Sequence, residues 1–219
     1  MFVGHFAAGF ASKRLAPHCS LGVLTTASLL PDLLWPVFLL LKWEHVLIRP
    51  GDTAFTPLAF VHYPISHSLL TTLGWAFLAA GFYWMATRYH RGALAVGLLV
   101  MSHWLLDAVT HKPDLPLFPG SDICAGLGLW NSAAGTIAVE SLIFAAGVSL
   151  YARLTKSRGR AGTAGMYSFI AVLLVFYLLN AAGPPPPGVR AIAFAGLAAW
   201  LFPLWAAWFD RQRTETRRE

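Results

Sequence analysis

Apolar runs of about the length needed to cross a bilayer, separated by short polar punctuation, dominate this chain of 219 residues. A spanning helix needs about 20 mostly apolar residues, and runs of that order fall at 20–41, 66–87, 92–110, 131–152, 166–182 and 190–209. The pattern predicts an all-α, polytopic transmembrane helical bundle with six full spans. A further apolar segment, 2–15, is too short to cross comfortably and reads as a re-entrant or tilted helix. Gly183 and the run Pro184 to Pro187 form a stiff connector that no helix can traverse. Charged residues make up only 12% of the chain, against about 25% in soluble domains, which excludes a soluble globular fold. The whole chain, 1–219, reads as one integral membrane domain. Lys13 and Arg14 follow the first apolar stretch instead of preceding it, the reverse of a secretory signal, so this segment belongs to the mature fold.

The net charge of +6 does not point to nucleic acid, because the basic residues flank apolar runs and form no amphipathic face. They report orientation instead: short cytoplasmic loops are enriched in Lys and Arg. With six spans after residue 20, the clusters Lys13-Arg14, Arg88 with Arg91, Arg153 to Arg160, and the basic tail 210–219 with its Arg211 to Arg218 all fall on one face. The C-terminus is therefore expected in the cytoplasm. Cys19 and Cys124 lie far apart with no ligand spacing, so neither a disulfide framework nor a thiolate metal site is indicated.

Against this apolar background a few ionisable residues stand out. Each costs roughly 2.5–3.5 kcal/mol in a span on insertion scales and calls for a partner. Asp32 sits mid-span between Pro31 and Pro36, which should break the helix nearby and let the carboxylate lean inward. His67 opens the second predicted span, and Glu140 lies inside the fourth. His103 and Asp107, four residues apart, project from one helix face a single turn apart, with His111 one turn further. Imidazole nitrogen with carboxylate oxygen in this arrangement suits zinc, manganese or iron. His62, His67, His103, Asp107 and His111 all fall near the non-cytoplasmic ends of their helices, and His5 reaches the same depth if Lys13 and Arg14 mark the cytoplasmic end of its segment.

Each residue also has a plainer reading. His18, His45 and His90 fit interfacial anchors. His103 with Asp107 could be a metal-free hydrogen-bonded pair, and Asp32 could cap a broken helix. Glu140 fits helix–helix bonding or a proton relay as well as ligation. Magnitudes favour a metal: two or three buried carboxylates cost about 6–10 kcal/mol together, while a zinc site returns roughly 10–16 kcal/mol, and Lys and Arg are nearly absent from the spans.

The order HFAAG near the N-terminus, LLPD in the first span, His62 followed by His67-Ser68, and SHWLLDAVTH in the third span resembles the YdjM-like family of membrane-bound, metal-dependent hydrolases. The likeness covers roughly the first 111 residues. It implies a metal-dependent hydrolase of prokaryotic cytoplasmic (inner) membranes, with His5, Asp32, His62, His67, His103 and Asp107 on the family's polar motifs. Two positions depart from the pattern: Leu34 stands where the family often has a second acid, and Tyr63 where it often has Arg. The first departure weakens the case for two metals, and the second the case for an anionic substrate. The His-x-x-x-Asp arrangement is also similar to part of the site of zinc-dependent phospholipases C, over a few residues only.

These readings divide the chain into a metal-site half, 1–115, and supporting helices, 131–209. The leading expectation is a hydrolase in which zinc, or else manganese or iron, is held by His5, Asp32, His62, His103 and Asp107 and lowers the pKa of a bound water. His67 or His111 would be a further ligand or the general acid, with Glu140 a candidate for proton handling. A site near the outer face favours a lipid or lipid-linked substrate arriving by lateral diffusion among membrane lipids. A transporter or channel with an intramembrane cation or proton site is the alternative, and a scaffold with a closed structural metal site the third. Oligomeric state and substrate identity are not encoded in any recognisable motif.

Overall fold

A computed structural model describes residues 1–216; Arg217, Arg218 and Glu219, the end of the expected basic tail, lie outside the described residues. The chain is mostly helical. Helix α1 (Val3–Ala11) leads through a short 3₁₀ turn into α2 (Leu21–Leu40), and a hairpin of β1 (His45–Ile48) and β2 (Leu58–His62) follows. One turn of helix, α3 (Pro64–His67), precedes the long pair α4 (Leu69–Thr87) and α5 (His90–Thr110). After the two-residue strands β3 (Leu115–Pro116) and β4 (Cys124–Ala125) come α6 (Ala133–Leu154), β5 (Thr155–Ser157) and α7 (Arg160–Ala182). The last pieces are α8 (Val189–Ala198), α9 (Leu201–Arg211) and β6 (Arg213–Glu215), which pairs antiparallel with β5. Six helical stretches are long and apolar enough to cross a membrane, α8 and α9 together making the sixth.

Three boundaries differ from the sequence expectation for local chemical reasons. The second span starts at Leu69, because the Ser68 side chain caps α4 by accepting from the Thr71 N–H; His67 thus closes a separate helical turn. The helix carrying Asp32 does not break: α2 runs continuously through Pro31 and Pro36. Neighbouring helices pack on it from several sides, including α1, α5, α8 and α9, and such packing tolerates the lost backbone bonds of an intramembrane proline. The sixth span, in contrast, breaks at Ala199–Trp200. Pro203 has no N–H to offer the Ala199 carbonyl, which accepts instead from Phe202 N at 3.0 Å in an i→i+3 bond.

Helix α1 is not a span but a plug. Val3, His5, Phe6, Ala7 and Phe10 are buried, and the helix lies against α2, α5 and α6. Its seat on α6 is so close that a Cβ at Gly147 would stand 2.5 Å from the Ala7 carbonyl oxygen. An aromatic core joins it to the rest: Phe10 meets Phe144 and Phe169 edge-on, and Phe169 meets Phe209. At the far end of α1, Lys13 Nζ donates to Asp210 Oδ2 at 2.8 Å, and Tyr151 donates to Asp210 Oδ1 at 2.7 Å. Lys13 therefore lies on the same side as the β5–β6 strand pair, while His5 lies about two turns deeper in the bundle.

Candidate metal centre

Residues from three helices and one helical turn meet where α1 enters the bundle. His5 comes from α1, Asp32 from α2, His67 from the end of α3, and His103 and Asp107 from consecutive turns of α5. They form two overlapping groups, His5–His103–Asp107 and Asp32–His67–His103, in each of which one ligand atom per residue lies within 4.8 Å of the others. His103 Nε2 is 3.1 Å from Asp107 Oδ2 and 3.7 Å from Asp32 Oδ1; His67 Nε2 is 3.4 Å from Asp32 Oδ1; His5 Nε2 is 3.1 Å from Asp107 Oδ1. Two ligands bound at about 2.1 Å to a tetrahedral ion sit roughly 3.4 Å apart, so these separations are those of atoms that could share a cation. The His5 and His103 rings stack with centroids 3.7 Å apart.

The tautomers follow from the surroundings. His103 Nδ1 lies 2.8 Å from the Ser28 carbonyl oxygen, which can only accept, so Nδ1 carries the proton and Nε2 faces the cluster with a lone pair. That Nε2 is buried and makes no hydrogen bond among the described residues, as a vacant ligand atom would. His67 is fixed by a relay. Its Nδ1 is 2.6 Å from Ser66 Oγ, and the Ser66 hydroxyl donates to Glu44 Oε2 at 2.6 Å. Ser66 must then accept from His67 Nδ1–H, which leaves His67 Nε2 for Asp32 and an ion. Glu44 is fully buried and also accepts from the N–H groups of Ile65 and Ser66, so one carboxylate caps α3 and aims its histidine. Among the described residues no Lys or Arg pairs with Asp32 or Asp107; the Met1 amino group contacts Asp107 Oδ1. The donor set, two carboxylates and three imidazoles of which His67 and His103 have fixed tautomers, fits zinc, manganese or iron.

His111 stands on the wall of the adjoining cavity, which Asp32, His67 and Asp107 also line, but it is outside both ligand groups. Its Nδ1–H donates to Asp114 Oδ1 at 2.9 Å, the same oxygen that accepts from Tyr63 at 3.1 Å. The ring lies against Trp130 and Phe60, with centroids at 4.3 and 4.8 Å. Burial pushes its pKa below the ordinary histidine value, against the raising effect of Asp114. Tyr63, also buried beside Asp114, is held well above the usual phenol range.

Two other residues expected at the site lie elsewhere. His62 is exposed on β2, where it pairs across the hairpin with His45, ring centroids 6.0 Å apart. Its strand places it on the opposite face from buried Tyr63, so the chain brings His67 to the cluster and not His62. Glu140 is buried on α6 but touches no ligand: its Oε2 accepts from the backbone N–H groups of Phe2 and Gly4, at 2.8 and 3.3 Å. It caps the N-terminus of α1, and so seats the helix that carries His5. Glu44, Ser66, Ser28 and Asp114 went unnoticed in the sequence, since an isolated acid or serine beside a span carries no periodic signal.

The model of the YdjM inner membrane protein family matches residues 1–183. No curated protein and no solved structure matches the chain. The match covers most of the chain and all five clustered residues, and the chain belongs to the YdjM inner membrane protein family.

Proposed function

We propose that this protein is a membrane-embedded metal-dependent hydrolase that cleaves an ester or phosphoester of a lipid or lipid-linked substrate, with the site towards the outer face and the C-terminus in the cytoplasm. The observation that carries the reading is the convergence of His5, Asp32, His67, His103 and Asp107, with an uncommitted His103 Nε2 among them. Zinc fits the donors best, with manganese or iron as alternatives. When bound, such an ion supplies Lewis acidity and makes hydroxide available near neutral pH.

The chain's own residues do the rest. Asp32 and Asp107 supply the negative charge, and Ser28 and the Ser66–Glu44 relay hold His103 and His67 in one tautomer. His111, neutral and held through its Nδ1–H by Asp114, would take up the proton that the water releases and pass it to the departing oxygen. Water is divided in the reaction: its hydroxyl joins the acyl or phosphoryl group, and a proton reaches the leaving alcohol.

Elemental analysis of detergent-purified protein tests this directly. Wild type is expected to carry stoichiometric transition metal, and His103→Ala and Asp107→Ala to lose it, with lipid turnover tracking metal content. Wild type without such a metal, or both variants retaining it fully, overturns the reading. Uptake of a cation into liposomes without lipid turnover would support a transporter instead.

A further inference from the structure

A second, larger cavity of about 550 Å³ lies beside the metal cluster, within the membrane-spanning part of the bundle. One wall is a stripe of α7, Val172, Phe176 and Asn180, at i, i+4 and i+8; the other is formed by Ile192 and Ala195 of α8 and by Ala199 just past its end. Its lining is almost wholly apolar, with Asp32 and Asn180 at one end. Two features of the sequence build it. Gly196 lets α8 press onto α2, since a Cβ there would stand 2.4 Å from the Pro36 ring, and this closes the floor. The break at Ala199–Trp200 then turns α9 aside, so that Leu201 and Phe202 line the cavity from a new direction.

The two cavities adjoin. Phe2, Asp32, Trp35 and Asn180 line both the larger one and the smaller one that His67, Asp107 and His111 also line. Asp32 is the open door of the cluster: its side chain is 41% exposed, whereas those of His5, His67, His103 and Asp107 are at most 5% exposed. A half-open carboxylate at the end of an apolar slot between spans is costly unless something polar meets it there. A molecule with a hydrocarbon body and a polar junction satisfies both ends at once. Bilayer lipid is the surrounding solvent and reaches the slot by lateral diffusion.

We infer that the slot between α7 and α8–α9 binds an acyl chain of a glycerophospholipid and presents the bond at its polar end to the cluster through Asp32. The inference rests on the hydrolase reading and gives it a substrate class. The α7 wall from Val172 to Asn180 spans about 12 Å at 1.5 Å per residue, which accommodates part of one chain.

The full-length protein is reconstituted in vesicles of phosphatidylethanolamine and phosphatidylglycerol doped with phosphatidylglycerol carrying a diazirine midway along one chain, illuminated, and mapped by peptide mass spectrometry. Label is expected to concentrate on Val172–Asn180 and Ile192–Phe202, severalfold above Phe77 and Phe82, which face outward on α4. Ala195→Trp, which fills the slot, is expected to lose that excess; Val172→Trp blocks it from the other wall should the first variant fail to assemble. Label on the slot no denser than on α4, or unchanged in both variants, overturns the inference, as does selective capture of a polyprenyl phosphate probe alone. Metal content measured on the same samples separates the two readings. Metal present without selective label sinks the slot alone, and selective label without metal sinks the hydrolase alone.

Discussion

Helices α4 and α5 are neighbours in sequence, pack against each other, and have almost the same mean hydropathy, yet their fates differ. Half of the apolar window of α5 is buried inside the bundle, and only 11% of that of α4. The two meet through small residues, Gly97 of α5 lying over Ala80 and the Ala76 carbonyl, which is how helices associate where lipid supplies no hydrophobic drive. Hydropathy admits both to the membrane; polar side chains then sort them. Helix α4 has no acid, lysine, arginine or histidine and turns Leu70, Phe77, Leu78 and Phe82 outward. Helix α5 carries His103 and Asp107, which find partners only in the interior.

That contrast can be broken by moving an acid from one helix to the other. Leu78 lies mid-span on α4 and is 64% exposed, so Leu78→Asp would place a carboxylate in hydrocarbon with no histidine near it. The expected penalty is about 3 kcal/mol of insertion free energy, or roughly a hundredfold in the inserted fraction. Asp107 is borne by a helix of nearly equal mean hydropathy, so a measured insertion cost for Leu78→Asp near zero would mean that partners do not decide where an acid is tolerated.

A smaller effect is expected one layer away from the ligands. Ser66→Ala cuts the relay between Glu44 and His67 while leaving every ligand in place. Supports of this kind typically carry a factor of 10–100 in metal affinity, and competition with a chromophoric chelator should find a loss in that range. Unchanged affinity would show that packing alone aims His67. Glu140→Gln keeps the shape of the α1 cap and removes its charge. A loss of about 1 kcal/mol in stability is expected, read as a lowered unfolding temperature in detergent with turnover largely retained. Loss of turnover at unchanged metal affinity and unfolding temperature would instead make Glu140 a proton carrier.

The six spans were legible because composition and length are decided locally, residue by residue, along an apolar run. The pairing of His103 with Asp107 was legible for a related reason, since helical periodicity alone fixes it. The absence of His62 from the cluster was not. It depends on a hairpin that pairs His62 with His45 and turns it outward, a pairing between residues distant in sequence. The role of Glu44 was hidden more deeply. It lies just past the end of α2 and acquires meaning only when Ile65 and Ser66 fold back onto it. Pro203 was visible in the sixth apolar run and did break it, whereas Pro31 and Pro36, which promised a break, sit where α2 is packed on several sides. Proline interrupts a span where its neighbours leave room for the chain to turn.

The smallest expected effect is the sharpest test of where lipid begins. Phe77 is 71% exposed on α4 and belongs to none of the three buried apolar clusters, so in a lipid-facing position Phe77→Ala exchanges one apolar surface for another. Its cost should stay within about 0.5 kcal/mol, the range of substitutions away from packed features, with metal content unaltered. Truncating a buried phenylalanine costs about 3–5 kcal/mol, and Phe10→Ala, in the aromatic core beside α6, sets that scale within the same protein. If Phe77→Ala approaches the Phe10→Ala value in thermal unfolding, the outer face of α4 is packed against protein, and the difference between α4 and α5 is one of partner and not of burial. If it stays small, α4 is the outward wall of the hairpin, and its apolar character serves the bilayer while that of α5 serves the site.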